Sequence, residues 1–323
     1  MPATASALHP DLLERVKGLV ARARSLAIGG RHGVHRSRLL GGGSEFSEYK
    51  AYEPGDDLRF LDWKVLARSE KYVVRQFQSD RSQDVQVVLD RTGSMAFGTT
   101  GGRAPGPWGP WPATKWEAAS TLALALSFVY LKQGDRVGLW TLEPGTGERS
   151  LSLLGRRVVP GRIPLRGGQR HLIELAARVT AAGPSGEGSL ASTLNQVVAA
   201  GRRSTIIVIS DLLTPEGEDW VAPLAVHAAR GREVQVLHVV DPAELAFPWE
   251  EPTLFVDMEG SDELSANPRE LARSYREEFD AFLEASRVSC VSHGLRYQRI
   301  NTAEALEDVV VPFLRSRPGR HGR

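Results

Sequence analysis

From residue 84 onward, short β-branched runs alternate with longer segments of helical period, and this alternation constrains the fold more than any other feature of the chain. Residues 85–90 form an apolar run that ends in aspartate, and 136–142, 205–211, 233–240 and 295–300 read as further strands. The run at 205–211 is apolar almost throughout, the pattern of a strand covered on both faces. Helices are expected over 115–133, 170–180, 190–200, about 218–230, 268–289 and 303–314. The first of these is apolar almost all round, as a core helix is. Gly134, Gly201 and Gly231 each follow a helix, where a chain commonly turns out of helical conformation. Asn267, Pro268 and Glu270 supply a cap, a first-turn proline and a side chain able to reach back to the cap amide. Strands and helices in this order imply a doubly wound, Rossmann-like α/β fold, with a mainly parallel sheet and helices on both faces.

The first 83 residues follow another pattern. Residues 11–28 carry an apolar stripe of Leu12, Val16, Leu19, Ala23 and Leu26, with Arg15, Lys17, Arg22 and Arg24 opposite. Such a helix either packs on its own protein or lies on a membrane surface. Residues 32–83 show no sustained period apart from a candidate strand at 71–77. The expectation is an irregular amino-terminal subdomain over 1–83, an α/β domain over 84–316, and a basic, disordered tail over 317–323. Two segments interrupt the α/β pattern. Residues 99–113 are Gly- and Pro-rich and carry Trp108 and Trp111, which suit partner contact if exposed; a plain insertion is the alternative. Residues 242–266 are acidic, with Phe247, Trp249 and Phe255.

Composition removes several classes. With 40 basic against 39 acidic residues, the chain lacks the excess of positive charge that nucleic-acid binding draws on. Cys290 is the single cysteine, so an intrachain disulfide is impossible and a cysteine-ligated zinc site is not expected. No basic run followed by an apolar one opens the sequence, and no stretch approaches the roughly 20 apolar residues of a membrane span. A cytoplasmic location is the expectation.

Chemistry is expected at the strand ends, because open α/β sheets place their sites outside the carboxyl ends of the strands. Two apolar runs end in acid there, at Asp90 and Asp211. After the first, Asp90-Arg91-Thr92-Gly93-Ser94 puts a carboxylate and two hydroxyls at alternate positions of one tight loop. Oxygen donors of this kind suit a hard divalent ion such as Mg²⁺, which takes one or two protein carboxylates and keeps several waters. The alternative is a pair of strand-end acids that cap backbone amides without metal.

The loop resembles the Asp-x-Ser-x-Ser element of the metal-ion-dependent adhesion site (MIDAS) of von Willebrand A domains. That resemblance implies Asp90, Thr92 and Ser94 as ligands to Mg²⁺ or Mn²⁺, with Asp211 as the following-strand aspartate and Ser189 in the place of the family's threonine. Thr92 stands where the family has its first serine, so two family positions are changed, each keeping a hydroxyl. A longer resemblance lies upstream. Glu45, then Tyr52 with Pro54-Gly55-Asp56-Asp57 and Arg59, then Asp62-Trp63 and Arg68, resemble the signature of domain-of-unknown-function family 58 (DUF58). The resemblance runs from about residue 33 to 314. It implies a bacterial protein with a von Willebrand A-like domain that works beside a MoxR-type AAA+ ATPase on an unidentified client protein. The bland reading of the 54–63 segment is a structural plug, in which Arg59 pairs with neighbouring acids and Trp63 packs on the sheet.

Enzymatic readings fare worse. A haloacid dehalogenase-like phosphotransferase uses a strand-end aspartate as nucleophile and asks for a second acid two residues on, where this chain has Thr92. The glycines before Ser44 lack the lysine and spacing of a phosphate-binding loop. The residues around Ser94 lack the flanking glycines of a nucleophile elbow. A non-catalytic interaction module is the expectation, with a membrane-surface scaffold as a further alternative.

Overall fold

The computed structural model describes residues 46–52, 61–69, 71–77, 82–100, 113–142, 151–153, 156–158, 161–181, 183–201, 203–260 and 262–304. The helix expected over 11–28, the tail, Glu45, Pro54, Gly55, Asp56, Asp57, Arg59, Trp108 and Trp111 lie outside the described residues. So does the last helix expected over 303–314, apart from its first two positions, which form a turn. The chain divides into two compact units, one at residues 36–82 and the other running onward from Gln83.

The smaller unit is more regular than its sequence suggests. Strand β1 (Phe46–Ala51) pairs antiparallel with β2 (Val73–Phe77), and helix α1 (Trp63–Ser69) lies between them in the chain. Asp62 is buried and caps α1, its Oδ1 accepting from the Lys64 and Val65 amides at 3.0 and 3.3 Å. The Tyr52 amide donates to the Tyr72 carbonyl at 2.9 Å, and the two rings lie 6.5 Å apart. Trp63 is 64% exposed. Arg68 is exposed as well. The pairing escaped sequence reading because its strands are separated by a long connection, and only β2 shows a local pattern.

In the larger unit six strands form one sheet in the order β12-β9-β8-β3-β4-β7. Five are parallel: β3 (Asp84–Leu89), β4 (Arg136–Thr141), β8 (Thr205–Ser210), β9 (Val234–Val240) and β12 (Arg296–Asn301). The sixth, β7 (Arg162–Arg166), runs antiparallel on the β4 edge. A small hairpin of β5 (Leu151–Leu153) and β6 (Arg156–Val158) precedes it. The doubly wound, mainly parallel sheet inferred from the alternation is therefore present, with one antiparallel edge strand added.

Alternation along the strands divides the core into two. Val85, Val87, Leu89, Ile207 and Ile209 pack with α2 (Lys115–Lys132) and α3 (Gln169–Ala181). On the other face Val88, Trp140, Ile206, Val208 and Val236 pack with α4 (Leu190–Ala200) and α5 (Val221–Ala229). Both faces being covered explains why β8 is buried at every position. Each such Val or Ile contributes about 1.5–3 kcal/mol on burial. Helix α2 is buried nearly all round, as its composition implies, and Thr114 caps it by accepting from the Glu117 amide. After β9 the chain adds a one-turn helix, α6 (Pro242–Ala246), and a separate antiparallel hairpin, β10 (Thr253–Val256) with β11 (Glu263–Ala266). The long helix α7 (Pro268–Ser292) then leads into β12. Among the described residues no helix is long and apolar enough to cross a membrane.

Candidate functional site

The chain leaves β3 for β4 on one side and later returns to β8 on the other, so the sheet's switch point falls between β3 and β8. Asp90 follows β3 and Asp211 follows β8. Because the two strands are parallel neighbours, both acids emerge at the same edge, side by side. Both are 2% exposed.

Asp90 anchors the loop behind it. Its Oδ1 accepts from the Thr92 amide at 3.0 Å and the Thr92 hydroxyl at 2.9 Å, and its Oδ2 from the Ser210 hydroxyl at 2.5 Å. The Thr92 and Ser94 hydroxyls lie 3.0 Å apart. Asp90, Thr92 and Ser94 thus form one contiguous line of oxygen atoms, as their alternate spacing implies. A 3-10 turn (Gly93–Ala96) carries the loop on. Burial first, and Asp211 second, push the Asp90 carboxyl up to about 6, although Ser210 and Thr92 act to lower it. Three hydrogen bonds do not offset the loss of water and the facing acid.

Asp211 is held by a residue that sequence reading passed over. Lys115 Nζ donates to Asp211 Oδ2 at 2.7 Å and to Glu244 Oε1 at 2.6 Å, and the lysine side chain is 1% exposed. Burial works to depress this ammonium, but attraction to Asp211 and Glu244 outweighs it and raises the pKa above the ordinary lysine value. Glu244 moves the opposite way for an ion-paired acid: burial raises it more than Lys115 lowers it. A sequence signal for Lys115 does exist. It opens an otherwise apolar helix at the end where the helix dipole disfavours a cation, so an acid must compensate it.

Ser189 is placed differently from the expectation. Its loop is tied to the Asp90 loop, with the Gly93 amide donating to the Gly186 carbonyl and the Ser185 amide to the Arg91 carbonyl, each at 2.9 Å. The Ser189 hydroxyl, however, caps α4 by accepting from the Ser192 amide at 3.0 Å and donates to Glu218 Oε1 at 3.0 Å. It does not join the Asp90–Thr92–Ser94 line. From this loop it is Glu187 that faces the cleft.

Over these residues opens a cleft of about 600 Å³. Ser94, Lys115 and Glu244 line it together with Phe97, Phe247, Trp249, Phe255 and Tyr275, and Leu213 and Pro215 form another part of the wall. The aromatic wall is internally packed: Phe247 lies 5.1 Å from Trp249, 5.9 Å from Phe255 and 4.5 Å from Tyr275 between ring centroids. Phe247, Trp249 and Phe255 come from the acidic interruption at 242–266, which is therefore part of the site. Among the described lining residues Lys115 is the basic one, whereas Glu187, Glu244, Asp257 and Glu259 are acidic.

The donor types present suit a hard divalent ion, although among the described residues no three His, Cys, Asp or Glu side chains gather into one metal-binding group. The donors are carboxylate and hydroxyl oxygens, two of the carboxylates are buried side by side, and the raised Asp90 reports a local shortage of positive charge. Lys115 pairs with Asp211, and among the described residues no cation pairs with Asp90.

Fold and site define an α/β protein whose acid-and-hydroxyl centre sits at the switch point of a mainly parallel sheet. The family model described as protein of unknown function DUF58 matches residues 48–289, and the chain belongs to that family. Proteins Rv1480 of Mycobacterium tuberculosis and Mb1516 of Mycobacterium bovis are each 30% identical to it over 243 residues, 74% of this chain and 68% of theirs. Among solved structures it is similar to the conserved hypothetical protein BatB from Bacteroides thetaiotaomicron, with a TM-score of 0.41 and 16% identity over 72% of this chain and 98% of that one. It is also similar to an aerotolerance-related membrane protein from Bacteroides fragilis, with a TM-score of 0.38 and 14% identity over 71% and 96%.

Proposed function

We propose that the chain is a non-catalytic, von Willebrand A-like interaction module whose strand-end centre holds one Mg²⁺ or Mn²⁺. Asp90, Thr92, Ser94 and Asp211 hold the ion, with Ser189 joining once its hydroxyl is released from Glu218. The observation that carries this reading is the continuous line of Asp90, Thr92 and Ser94 oxygens beside Asp211, which reaches an aromatic cleft through Ser94. A bound ion supplies directional attraction for a carboxylate of another protein; without it, two buried acids face one another. Asp90 is deeply buried with both oxygens engaged by neighbours, which favours an ion-holding acid over a nucleophile that must meet a substrate. From the family resemblance the partner is a MoxR-type AAA+ ATPase, acting with this chain on a client protein in assembly.

Calorimetric titration with Mg²⁺ and Mn²⁺ tests the metal. One site is expected in the wild type and none in Asp90→Ala. Affinity capture from the native lysate tests the partner. An AAA+ ATPase recovered with Mg²⁺, and lost with EDTA or Asp90→Ala, supports the whole reading. Its recovery under all three conditions moves the interface away from the metal loop.

A further inference from the structure

Large apolar side chains face water at one place above all. Leu213, Val256 and Met258 line the cleft and are 39, 57 and 43% exposed. Leu254 lies two residues before Val256 on β10 and is exposed with it. The aromatic wall continues past Tyr275 into a second groove of about 400 Å³, lined by the exposed Leu264 and Leu271. Half of the exposed large apolar residues among those described thus lie on the β10–β11 hairpin and the walls beside it. Such a gathering marks a surface that another apolar surface covers, where single scattered residues do not. The rim of the cleft is acidic. Glu187 and Asp257 are exposed, and Glu259, whose Oε1 accepts from the Ser94 amide at 3.2 Å, is half-buried. Lys115 cannot balance them, because its ammonium is buried and already committed to Asp211 and Glu244. From residue 242 to 266 the chain carries seven acids and no lysine or arginine. Apolar walls with an acidic rim call for an occupant that has an apolar face and basic residues beside it.

The sequence holds a segment of that chemistry, outside the described residues. In 11–28, Leu12, Val16, Leu19, Ala23 and Leu26 recur at spacings of four and three, the pattern by which a helix anchors in a groove. Arg15, Lys17, Arg22 and Arg24 outnumber its two acids, Asp11 and Glu14. We propose that residues 11–28 seat in the cleft of their own chain, the apolar stripe on the aromatic wall and the basic residues toward Glu187, Asp257 and Glu259. A membrane surface also suits a basic amphipathic helix, but it leaves the exposed walls and acidic rim of the cleft unexplained, whereas this segment complements both. The proposal uses the walls and rim alone, so it stands with or without a bound ion. On the interaction reading given above, on which this consequence rests, the seated segment lies between Ser94 and an arriving carboxylate, and a partner must displace it.

Disulfide trapping in the full-length protein tests the seat, with EDTA throughout to keep the result separate from the metal reading. Leu19→Cys is combined with Val256→Cys in the cleft, or with Val226→Cys, which is similarly exposed but outside it. Cys290 stays in place because it is fully buried. Each variant is checked by urea melting and then oxidised with oxidised glutathione, and its products are weighed by mass spectrometry. Closure within one chain is expected about tenfold faster or more for the Val256 pair, because docking raises the local concentration of the first thiol there. Adding Arg22→Glu and Arg24→Glu should slow closure about tenfold, and reversing the rim as well, with Glu187→Arg and Asp257→Arg, should restore it. Equal rates at the two positions, or no effect of charge reversal, would overturn the proposal. A product that joins two chains would overturn it in favour of a second copy. Sedimentation of the wild type with phosphatidylserine–phosphatidylcholine vesicles, lost in Arg22→Glu/Arg24→Glu, would overturn it in favour of a membrane.

Discussion

Replacing Asp90 with asparagine separates the load this residue places on the fold from the role proposed for it toward a cation. Its carboxyl is pushed from an ordinary 3.8 up to about 6, by burial first and by Asp211 second. A carboxyl that ionises less readily in the folded chain than in the unfolded one destabilises the fold when charged. The penalty is absent below pH 3.8, grows as the pH rises toward 6 and is complete above it. At about 1.4 kcal/mol for each tenfold change in ionisation, it amounts to about 3 kcal/mol at neutral pH. Asparagine can keep the Thr92 contacts through its oxygen and turn its amide toward Ser210, whose hydroxyl must then find another acceptor. That rearrangement cancels part of the gain, so Asp90→Asn is expected to be about 1–3 kcal/mol more stable than wild type at pH 7.5 in EDTA. The gain should vanish near pH 4. His238 titrates across the same range with opposite sign. Burial lowers it to about 4, so stability is lost as the pH falls below 6.5 through that value. The wild-type curve mixes the two groups, and the difference between variant and wild type isolates Asp90. The assay is urea unfolding followed by the chain's tryptophan fluorescence, from pH 4 to 7.5, with EDTA and then with Mg²⁺. Magnesium should close the gap by stabilising the wild type alone. A variant no more stable at pH 7.5, or one whose gain does not change with pH, refutes the reasoning.

Three further outcomes follow from the same geometry. Lys115→Met removes the cation from a buried pair and should cost about 3–5 kcal/mol in EDTA; in urea melts, Mg²⁺ at a hundred times its dissociation constant should restore about 2.7 kcal/mol. Gly138→Ala should destabilise the sheet by about 1–3 kcal/mol in the same melts, because the new β-carbon would lie 2.6 Å from Gln86 Oε1 and 3.2 Å from the Ile163 carbonyl. Cys290 is fully buried and its thiol is pushed up to about 12 by that burial. A thiol reagent should therefore label it only as fast as the protein unfolds, and immediate labelling of the native state would contradict its placement.

Much of the sheet could be read from the chain because its central strands are covered on both faces. Residues 85–89, 205–210 and 234–240 are largely apolar for that reason, and α4 was closed in the sequence by Gly201. Strand β7 escaped because it lies at an edge. Its sequence, Arg162-Ile163-Pro164-Leu165-Arg166, carries charges and a proline that a central strand does not tolerate. The β10–β11 hairpin escaped inside an acidic stretch, since its pairing, and not its composition, makes it a hairpin. The same division holds at the site. Asp90 and Asp211 were visible because each ends an apolar run. Lys115 and Glu259 were not, because each meets its partner across 96 and 165 residues of chain.

A third strand end shows why an acid at the end of a strand is not in itself a site. Asp241 follows β9 as Asp90 follows β3, and it is equally buried. Yet it is saturated by groups that belong to the fold. The Thr99 amide and hydroxyl donate to it at 3.0 and 2.5 Å, the Ala243 amide at 2.9 Å and the Thr302 hydroxyl at 3.1 Å. It caps α6 and ties the ends of β9 and β12 to the segment that leaves the Asp90 loop, so its charge is consumed in holding position. Asp211 stands between the extremes, with Lys115 on one oxygen and the Leu213 amide on the other. Asp90 has its carboxyl displaced upward by burial and by the facing Asp211, and among the described residues no cation pairs with it. Local satisfaction sets these residues apart where sequence position cannot. The acid left short of positive charge, beside the hydrogen-bonded hydroxyls of Thr92 and Ser94, is the one where a cation would gain most by binding.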